Sequence, residues 1–291
     1  MPRLTERRLS LKNISPDPVE AITEKEASGE IAEFYEDIRS VLGVPVVNLI
    51  WRHLATIPGA LPWAWESLRP IYESGLLESE ANSLRNSLEV STELRISKPT
   101  LTAANLSLTD INSIQLVLKS YERSNALNLI ALNTLLVQID GIEVKKTVVR
   151  PAGTDTDIVK GNMPELIPLT AINAELRELI EDLNQVGGRS DILPSMYRHL
   201  AHWPTYLALL HVLLKTFATD GAWNTLIKDT IATSHLKALG IASELVIPSS
   251  TLDQESKSKT RDALSHFVEG PLGKMTTIIK LVSGSMPAQR S

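Results

Sequence analysis

One short sequence occurs twice in this chain, and its repetition constrains the fold more than any other feature. Arg-His-Leu-Ala at residues 52–55 recurs at residues 198–201, and a proline and a leucine follow each copy at the same distances. Tyr121 falls opposite the aromatic Phe267 at the same offset of 146 residues, and Glu36-Asp37 recurs downstream at an offset of 145. Because matches in register at three places are improbable by chance, we predict two tandem copies of one unit.

Apolar residues recur at the spacing of a helical face in both copies. One face is formed by Ile31, Phe34, Tyr35, Ile38 and Leu42. A second such face lies within residues 176–186, and a glycine follows each. Further helices are predicted over residues 46–56, 61–74, 78–89, 109–138, 195–216, 221–238, 251–267 and 272–283. No stretch alternates polar and apolar residues between hairpin turns, so we predict an all-α fold.

The predicted organisation has five parts. They are an N-terminal tail (1–20), a first helical repeat (21–141), a linker (142–168), a second helical repeat (169–285) and a C-terminal tail (286–291). The linker is rich in Val, Thr, Asp, Gly and Pro and has no helical face. Each multi-helix unit is expected to expose an apolar face that its twin covers, which predicts a pseudo-dimer with an approximate two-fold axis. A site between the two units is the natural expectation.

Composition excludes several classes of function. The net charge of −5 comes from interspersed acidic and basic residues, which leaves no basic surface for nucleic acid or an anionic membrane. The absence of cysteine excludes disulfides, thiolate zinc sites and thiol redox chemistry. The longest apolar stretch, residues 207–214, is too short to cross a bilayer, and the N-terminus lacks the apolar core of a signal peptide. We therefore expect a cytoplasmic protein.

Six short motifs run along the chain. They are Tyr35-Glu36-Asp37-Ile38-Arg39, Val44-Pro45, Leu54-Ala55-Thr56 with Pro58-Gly59, Arg123-Ser124-Asn125, Gly187-Gly188-Arg189-Ser190-Asp191 and Trp203-Pro204. Together, and in this order, they resemble the group I 2-haloacid dehalogenases over roughly residues 24–285. The resemblance implies an all-helical pseudo-dimer that hydrolyses short 2-halocarboxylates to 2-hydroxy acids without a cofactor or a metal.

The resemblance also implies an active site. Asp191 matches an aspartate that activates water for direct attack on C2 with inversion, and Asn125 matches an asparagine that holds this water. A carboxylate can accept the proton of the water, and an amide can orient the water without adding charge. The family's pocket wall falls on Val46, Leu49, Ser190, Leu264, Phe267, Val268 and Pro271.

The repeat adds an expectation about symmetry. At the 146-residue offset Asn125 falls opposite Pro271 and Asp191 falls opposite Pro45, so we predict a single site with polar residues facing apolar counterparts. Arg189 departs from the small or uncharged residue of the family. It could intrude on the pocket, pair with Asp191 and lower its basicity, or bind the substrate carboxylate bidentately.

Taken without the resemblance, the same residues have plainer interpretations. Asp191 precedes a predicted helix and is typical of a turn or cap, while Asn125 is typical of an interface amide. His53 and His199 recur in both copies and are expected to serve the fold. Three functions are open at this point: a 2-haloacid dehalogenase, a different hydrolase of short 2-substituted acids, and a non-catalytic binding or assembly protein. A homodimer is compatible with each.

Overall fold

The computed structural model describes residues 19–88, 95–144, 158–188, 191–217, 222–246, 248 and 252–288. Every regular element in these ranges is helical, which confirms the predicted all-α class. The α-helices are α1 Glu30–Leu42, α2 Leu49–Leu54, α3 Ala60–Glu73, α4 Leu76–Ser87, α5 Lys98–Ala103, α6 Leu108–Ile139, α7 Ala174–Gln185, α8 Ser195–Leu200, α9 Pro204–Phe217, α10 Ala222–Ile241, α11 Gln254–Phe267 and α12 Gly273–Ser285. None of these helices is long and apolar enough to span a membrane.

Helix α6 is the centre of the fold. It begins with a capping box in which Oγ of Ser107 accepts from the amide of Asp110 at 3.1 Å and the Asp110 carboxylate accepts from the amide of Ser107 at 2.9 Å. Helices α4, α10 and α12 pack against it, and most of its 32 residues are buried. A helix enclosed on all sides is expected to be apolar all round, so the buried polar residues of α6 call for specific partners.

Some helix bounds in the series α1–α6 recur in the series α7–α12 at the offset of 146 residues. Helices α2 and α8 each have six residues and begin 146 residues apart, as do the first residues of α4 and α10. The span of α6, shifted by 146, covers residues 254–285, which are occupied by α11, a π turn at Val268–Leu272 and α12. These bounds agree with the offset in the sequence, while the division into two repeats and a linker stays a prediction.

The two series differ at Gly270-Pro271. Helix α6 is continuous, whereas its counterpart is interrupted by the π turn, within which Gly270 has non-helical dihedrals of φ −104° and ψ −106°. Proline lacks the amide hydrogen that an α-helix needs at an interior position, so the hydrogen-bond pattern widens there. Such single-turn bulges are frequent at functional sites.

Some predicted boundaries are wrong. The helix predicted over 195–216 is two helices, because α8 ends at Leu200 and Pro204 begins α9 at a position where its missing amide costs nothing. The helix predicted over 46–56 is only the six residues of α2. Helix α5 was not predicted; it starts at the cap residue Ser97, whose Oγ accepts from the amide of Thr100 at 3.2 Å.

The described end of the predicted linker, residues 158–168, packs along both series of helices. The amide of Val159 donates to the carbonyl of Gly43 at 2.9 Å, and Nε of Arg198 donates to the carbonyl of Ile167 at 2.9 Å. No helix occurs in these eleven residues, as the sequence predicts.

Candidate active site

A narrow cavity lies where the two series of helices meet. Its open volume is about 40 Å³, which is room for a few water molecules. The lining residues come from the N-terminal ends of α2 and α8, the middle of α6 and the region of the π turn. They are Asn48, Leu49, Ile50, Tyr121, Asn125, Ile192, Pro194, Ser195, Met196, Phe267, Pro271, Leu272 and Met275.

Ten of these thirteen residues form five pairs separated by 146 residues. In four pairs one member is polar or carries a hydroxyl and the other is apolar. These pairs are Asn48 with Pro194, Ser195 with Leu49, Tyr121 with Phe267, and Asn125 with Pro271. The cavity therefore has one set of polar groups rather than two, which is the arrangement that the offset predicted for Asn125 and Pro271.

The predicted site residues are only partly brought together. Asn125, Leu49, Phe267 and Pro271 line the cavity. Three further predicted wall residues are buried outside its lining: Val46, Leu264 and Val268. Val46 instead lines a separate cleft with Arg52 and His199. Arg189 and Ser190 lie outside the described residues.

Asp191 is exposed to solvent and is not one of the lining residues. Within the part of the chain that the structure describes, no hydrogen bond or ion pair of Asp191 is found. The next residue, Ile192, is buried and lines the cavity. The sequence predicts that Asp191 and Asn125 lie together, and this structure does not bring them together. The amide of Asn125 lines the cavity, whereas Asp191 is exposed and only the residue after it lines the cavity.

The described residues on either side of Arg189 and Ser190 are held by the buried Lys274 and the partly buried Asn184. Nζ of Lys274 donates to the carbonyl and Oδ1 of Asn184 at 2.6 and 3.1 Å and to the carbonyl of Gly188 at 3.2 Å. Nδ2 of Asn184 donates to the carbonyl of Ile192 at 3.3 Å. Burial lowers the pKa of Lys274 to about 8, while its three oxygen acceptors favour the charged ammonium.

Gly187 is required where α7 gives way to this turn. Its φ of +74° lies in the left-handed region, where a side chain is disfavoured. A Cβ atom at this position would come within 2.6 Å of Cδ1 of Ile227. Both constraints explain a glycine at the start of the motif that ends in Asp191.

A second amide fixes the orientation of Asn125. Nδ2 of Asn48 donates to Oδ1 of Asn125 at 3.1 Å and to Oγ of Ser124 at 3.0 Å, and all three residues are buried. With oxygen and nitrogen placed in this way, Asn48 is the donor and Asn125 the acceptor of the pair. Because Oδ1 of Asn125 is already accepting, Asn125 presents Nδ2 to the cavity as a donor.

Ser195 links the cavity to a buried positive charge. Nη2 of Arg52 donates to Oγ of Ser195 at 2.8 Å, and Nε of Arg52 donates to the carbonyl of Val47 at 3.1 Å. Arg52 is 3% exposed and forms no ion pair with any described residue. Since Oγ of Ser195 accepts from the guanidinium, its own proton can be donated to a group in the cavity, where the Tyr121 hydroxyl is one partner within reach. The arrangement is suited to binding an anion.

Tyr121 and His199 form a neutral pair beside the cavity. The Tyr121 hydroxyl lies 2.8 Å from Nδ1 of His199. Burial, reinforced by repulsion from the guanidinium groups of Arg52 and Arg198, lowers the pKa of His199 to about 3. Burial also raises the pKa of Tyr121. A histidine with so low a pKa is a weak proton acceptor at neutral pH, so His199 is not suited to act as a general base.

The sequence interpretation missed Asn48, Tyr121 and Ser195 as cavity residues. A signal for them exists, because each stands opposite an apolar residue at the offset of 146.

Comparison with known proteins supplies the identity of the family. No family model matches the chain. A 2-haloacid dehalogenase from Alcaligenes xylosoxydans xylosoxydans, described as configuration-inverting, is 30% identical over 204 residues. The aligned part is 65% of this chain and 66% of that protein, so about a third of the relative has no counterpart in the alignment.

Three solved structures share the fold. The crystal structure of a D-2-haloacid dehalogenase mutant has a TM-score of 0.73 and 19% identity, and the match covers 92% of this chain and 95% of that one. A complex of a D-2-haloacid dehalogenase mutant with D-2-CPA has a TM-score of 0.68 and 18% identity, with coverages of 92% and 94%. A complex of D-2-haloacid dehalogenase with L-LA has a TM-score of 0.67 and 18% identity, with coverages of 92% and 95%.

The fold and the cavity define an all-helical protein with one set of polar groups between two series of helices. The sequence relationship and the motifs agree with this architecture. The chain belongs to the group I 2-haloacid dehalogenase family.

Proposed function

We propose that this protein hydrolyses short-chain 2-haloalkanoic acids to 2-hydroxy acids by direct attack of water on C2, with inversion of configuration. The observation that carries the proposal is a small cavity in which an amide donor and a serine linked to a buried arginine face an apolar wall. The relative from Alcaligenes bears the name of a configuration-inverting 2-haloacid dehalogenase. A solved neighbour of the same fold was obtained in complex with D-2-CPA.

The substrate carboxylate is assigned to Ser195. Its hydroxyl can donate to a carboxylate oxygen while Arg52 behind it supplies the compensating positive charge. In a buried site this charge is little screened by solvent, so it favours an anionic ligand over a neutral one. This arrangement therefore favours a small acid over a haloalkane as the substrate.

The carbon-bound halogen is assigned to the apolar wall. Leu49, Phe267 and Pro271 face the polar groups across the cavity. A halogen bound to carbon is weakly polar and is suited to such surroundings, and the small volume of the cavity favours short chains.

The attacking water is assigned to Asn125, with Asp191 as its base. The water oxygen forms a bond to C2, the carbon–halogen bond breaks, the halide leaves with the electron pair, and Asp191 takes one proton. Because Asp191 is exposed in this structure, the proposal requires its carboxylate to turn towards Asn125 when substrate is bound. The next residue along the chain, Ile192, already lines the cavity. These steps use only water and the protein's own side chains.

Halide release tests the reaction class. Purified protein incubated with racemic 2-chloropropionate and 2-bromopropionate should release halide and form 2-hydroxypropionate of inverted configuration at each centre that reacts. Chiral chromatography of the product measures the inversion. A folded, helical protein that releases no halide from either acid would exclude the proposal.

A single turnover tests the route. With enzyme in excess in heavy-oxygen water, direct attack places the label in the 2-hydroxy acid and none in the protein. An aspartyl ester intermediate would instead leave the label in the Asp191 carboxylate after hydrolysis at the carboxyl carbon. Mass spectrometry of the peptide that contains Asp191 distinguishes the two routes.

We also propose that the two series of helices are copies of one unit related by an approximate two-fold axis. The matching bounds of α2 with α8, and of α6 with α11 and α12, support this. An experimental structure tests it through superposition of residues 30–139 on residues 174–285. Helices that fail to superpose in order would contradict the duplication.

A further inference from the structure

Asn48 is a buried cavity residue whose amide oxygen has no partner. It occupies the cap position of α2, with φ −61° and ψ 152°, and is 4% exposed. An asparagine at this position ordinarily accepts a hydrogen bond from an amide of the first helical turn. Asn48 makes no such bond. Its Oδ1 is buried and has no hydrogen-bond partner among the described residues.

The side chain of Asn48 is committed to the cavity instead of the helix. Its Nδ2 donates to Oδ1 of Asn125 and to Oγ of Ser124, and Asn48 and Asn125 both line the cavity. A buried acceptor without a partner destabilises the folded state, and native proteins pair most such atoms with protein, water or ligand. An unpaired acceptor on a residue that lines the cavity is suited to a ligand that donates a hydrogen bond there.

We propose that Asn48 is a second catalytic amide, which accepts a hydrogen bond from the attacking water while it fixes Asn125. This proposal rests on the hydrolase activity proposed above. One proton of the water goes to Asp191 as the oxygen attacks C2. The other proton points at Oδ1 of Asn48 and remains on the new hydroxyl group of the product.

The two amides are complementary, so together they orient the water completely. Asn125 donates through Nδ2 to one lone pair of the water, and Asn48 accepts one of its two protons. The second proton of the water points at the base, Asp191. Only the second lone pair of the water oxygen is then free, and this lone pair attacks C2. Exchanging O and N in both amides at once also leaves one donor and one acceptor in the cavity, so the complementarity does not depend on the assignment.

Kinetics of two variants test the proposal. Asn48→Leu removes both hydrogen bonds and should lower kcat about 100-fold, the usual effect of deleting one preorganised group, with KM changed by less than about threefold. Asn48→Asp keeps the shape and the acceptor but cannot donate to Asn125. The amide of Asn125 would then rotate so that its Nδ2 donates to the new carboxylate. This rotation removes the donor from the cavity, so kcat should fall about tenfold or more.

Ser124→Ala is the matched control. It removes the other partner of Asn48 without altering a residue that lines the cavity. It should lower the melting temperature by an amount similar to that of Asn48→Leu and keep kcat within about threefold of the parent. Circular dichroism establishes that every variant is folded before its kinetics are measured.

The outcomes separate two failures. If the parent releases halide and both folded Asn48 variants keep kcat within about threefold, the role of Asn48 is wrong while the proposed function stands. If the parent releases no halide from 2-haloacids, the proposed function is wrong and the role of Asn48 falls with it. A drop in kcat in both Asn48 variants, with Ser124→Ala unaffected, supports the proposal.

Discussion

The hydroxyl of Tyr121 lies 2.8 Å from Nδ1 of His199, and this contact has an apolar copy elsewhere in the fold. The residues 146 positions away, Phe267 and His53, stack with their ring centroids 5.9 Å apart. Each pair joins one series of helices to the other. The same packing contact is therefore made twice, and only the copy with a hydroxyl forms a hydrogen bond.

His199 predicts that stability falls in mild acid. Its pKa is about 3 in the folded protein, below the ordinary 6.5, so the unfolded chain binds a proton that the folded chain excludes between these values. The free energy of unfolding should therefore decrease as the pH falls below 6.5, by up to about 1.4 kcal/mol per pH unit from this group. Urea unfolding between pH 7 and 4.5 measures the slope.

Two histidine variants assign that slope. His199→Gln removes the titrating group. It should reduce the slope of the unfolding free energy against pH by the contribution of about one bound proton. His53→Gln replaces the histidine at the corresponding position of the other series and is measured alongside it. An undiminished slope in His199→Gln would show that other groups carry the acid sensitivity.

Asp191→Asn should separate activity from stability. Because Asp191 is exposed and forms no hydrogen bond or ion pair with another described residue, its replacement should change the free energy of unfolding by less than about 0.5 kcal/mol. Turnover should nevertheless be abolished, since an amide cannot take a proton from water. Halide release by protein of confirmed fold checks this, and a rate above about a tenth of the parent's would contradict the assignment of the base.

Much of the fold could be predicted from the sequence because helical faces are local patterns. The predicted helix 109–138 differs from α6 by one residue at each end. The breaks between helices were harder to predict. Pro204 starts α9 inside the helix predicted over 195–216, and a proline in a helical pattern can mark either a first turn or a kink. Periodicity cannot distinguish these cases without the packing of the neighbouring helices.

The site was less predictable, because its geometry depends on contacts between distant segments. The motifs and the repeat identified Asn125, which lies in the cavity, but Asn48 carries no local signal beyond that of a helix cap. Its role depends on residues 76 and 77 positions away. The segment before Asp191 likewise depends on a distant residue, because Nζ of Lys274 on α12 donates to the carbonyls of Asn184 and Gly188.

Ser195→Ala should weaken substrate binding more than turnover. The change removes the hydroxyl that would donate to the carboxylate and leaves Nη2 of Arg52 without this acceptor. KM should rise about tenfold, equivalent to about 1.4 kcal/mol, with a smaller change in kcat. Ser67→Ala is the control, since Ser67 is equally buried and bonds only within α3. An unchanged KM would place the carboxylate elsewhere in the cavity.

Lys274→Met should impair activity by releasing the turn that leads to Asp191. Methionine keeps much of the lysine volume but leaves the carbonyls of Asn184 and Gly188 without their donor, at a cost of about 1–3 kcal/mol in unfolding free energy. Because these carbonyls fix the path of the chain towards Asp191, kcat per folded molecule should fall about tenfold or more. Thermal unfolding and halide-release kinetics measure the two effects separately.

Lys280→Met provides the control for Lys274→Met, because it removes the same charge from the same helix at a more exposed position. It should leave kcat within about threefold of the parent and change the free energy of unfolding by less than about 1 kcal/mol, as expected for a partly exposed ion pair. If Lys274→Met lowers stability but keeps the parent's kcat, the ammonium supports α7 and does not position the catalytic turn. If kcat falls in both variants alike, the loss reflects the change in charge and not the hydrogen bonds to Asn184 and Gly188.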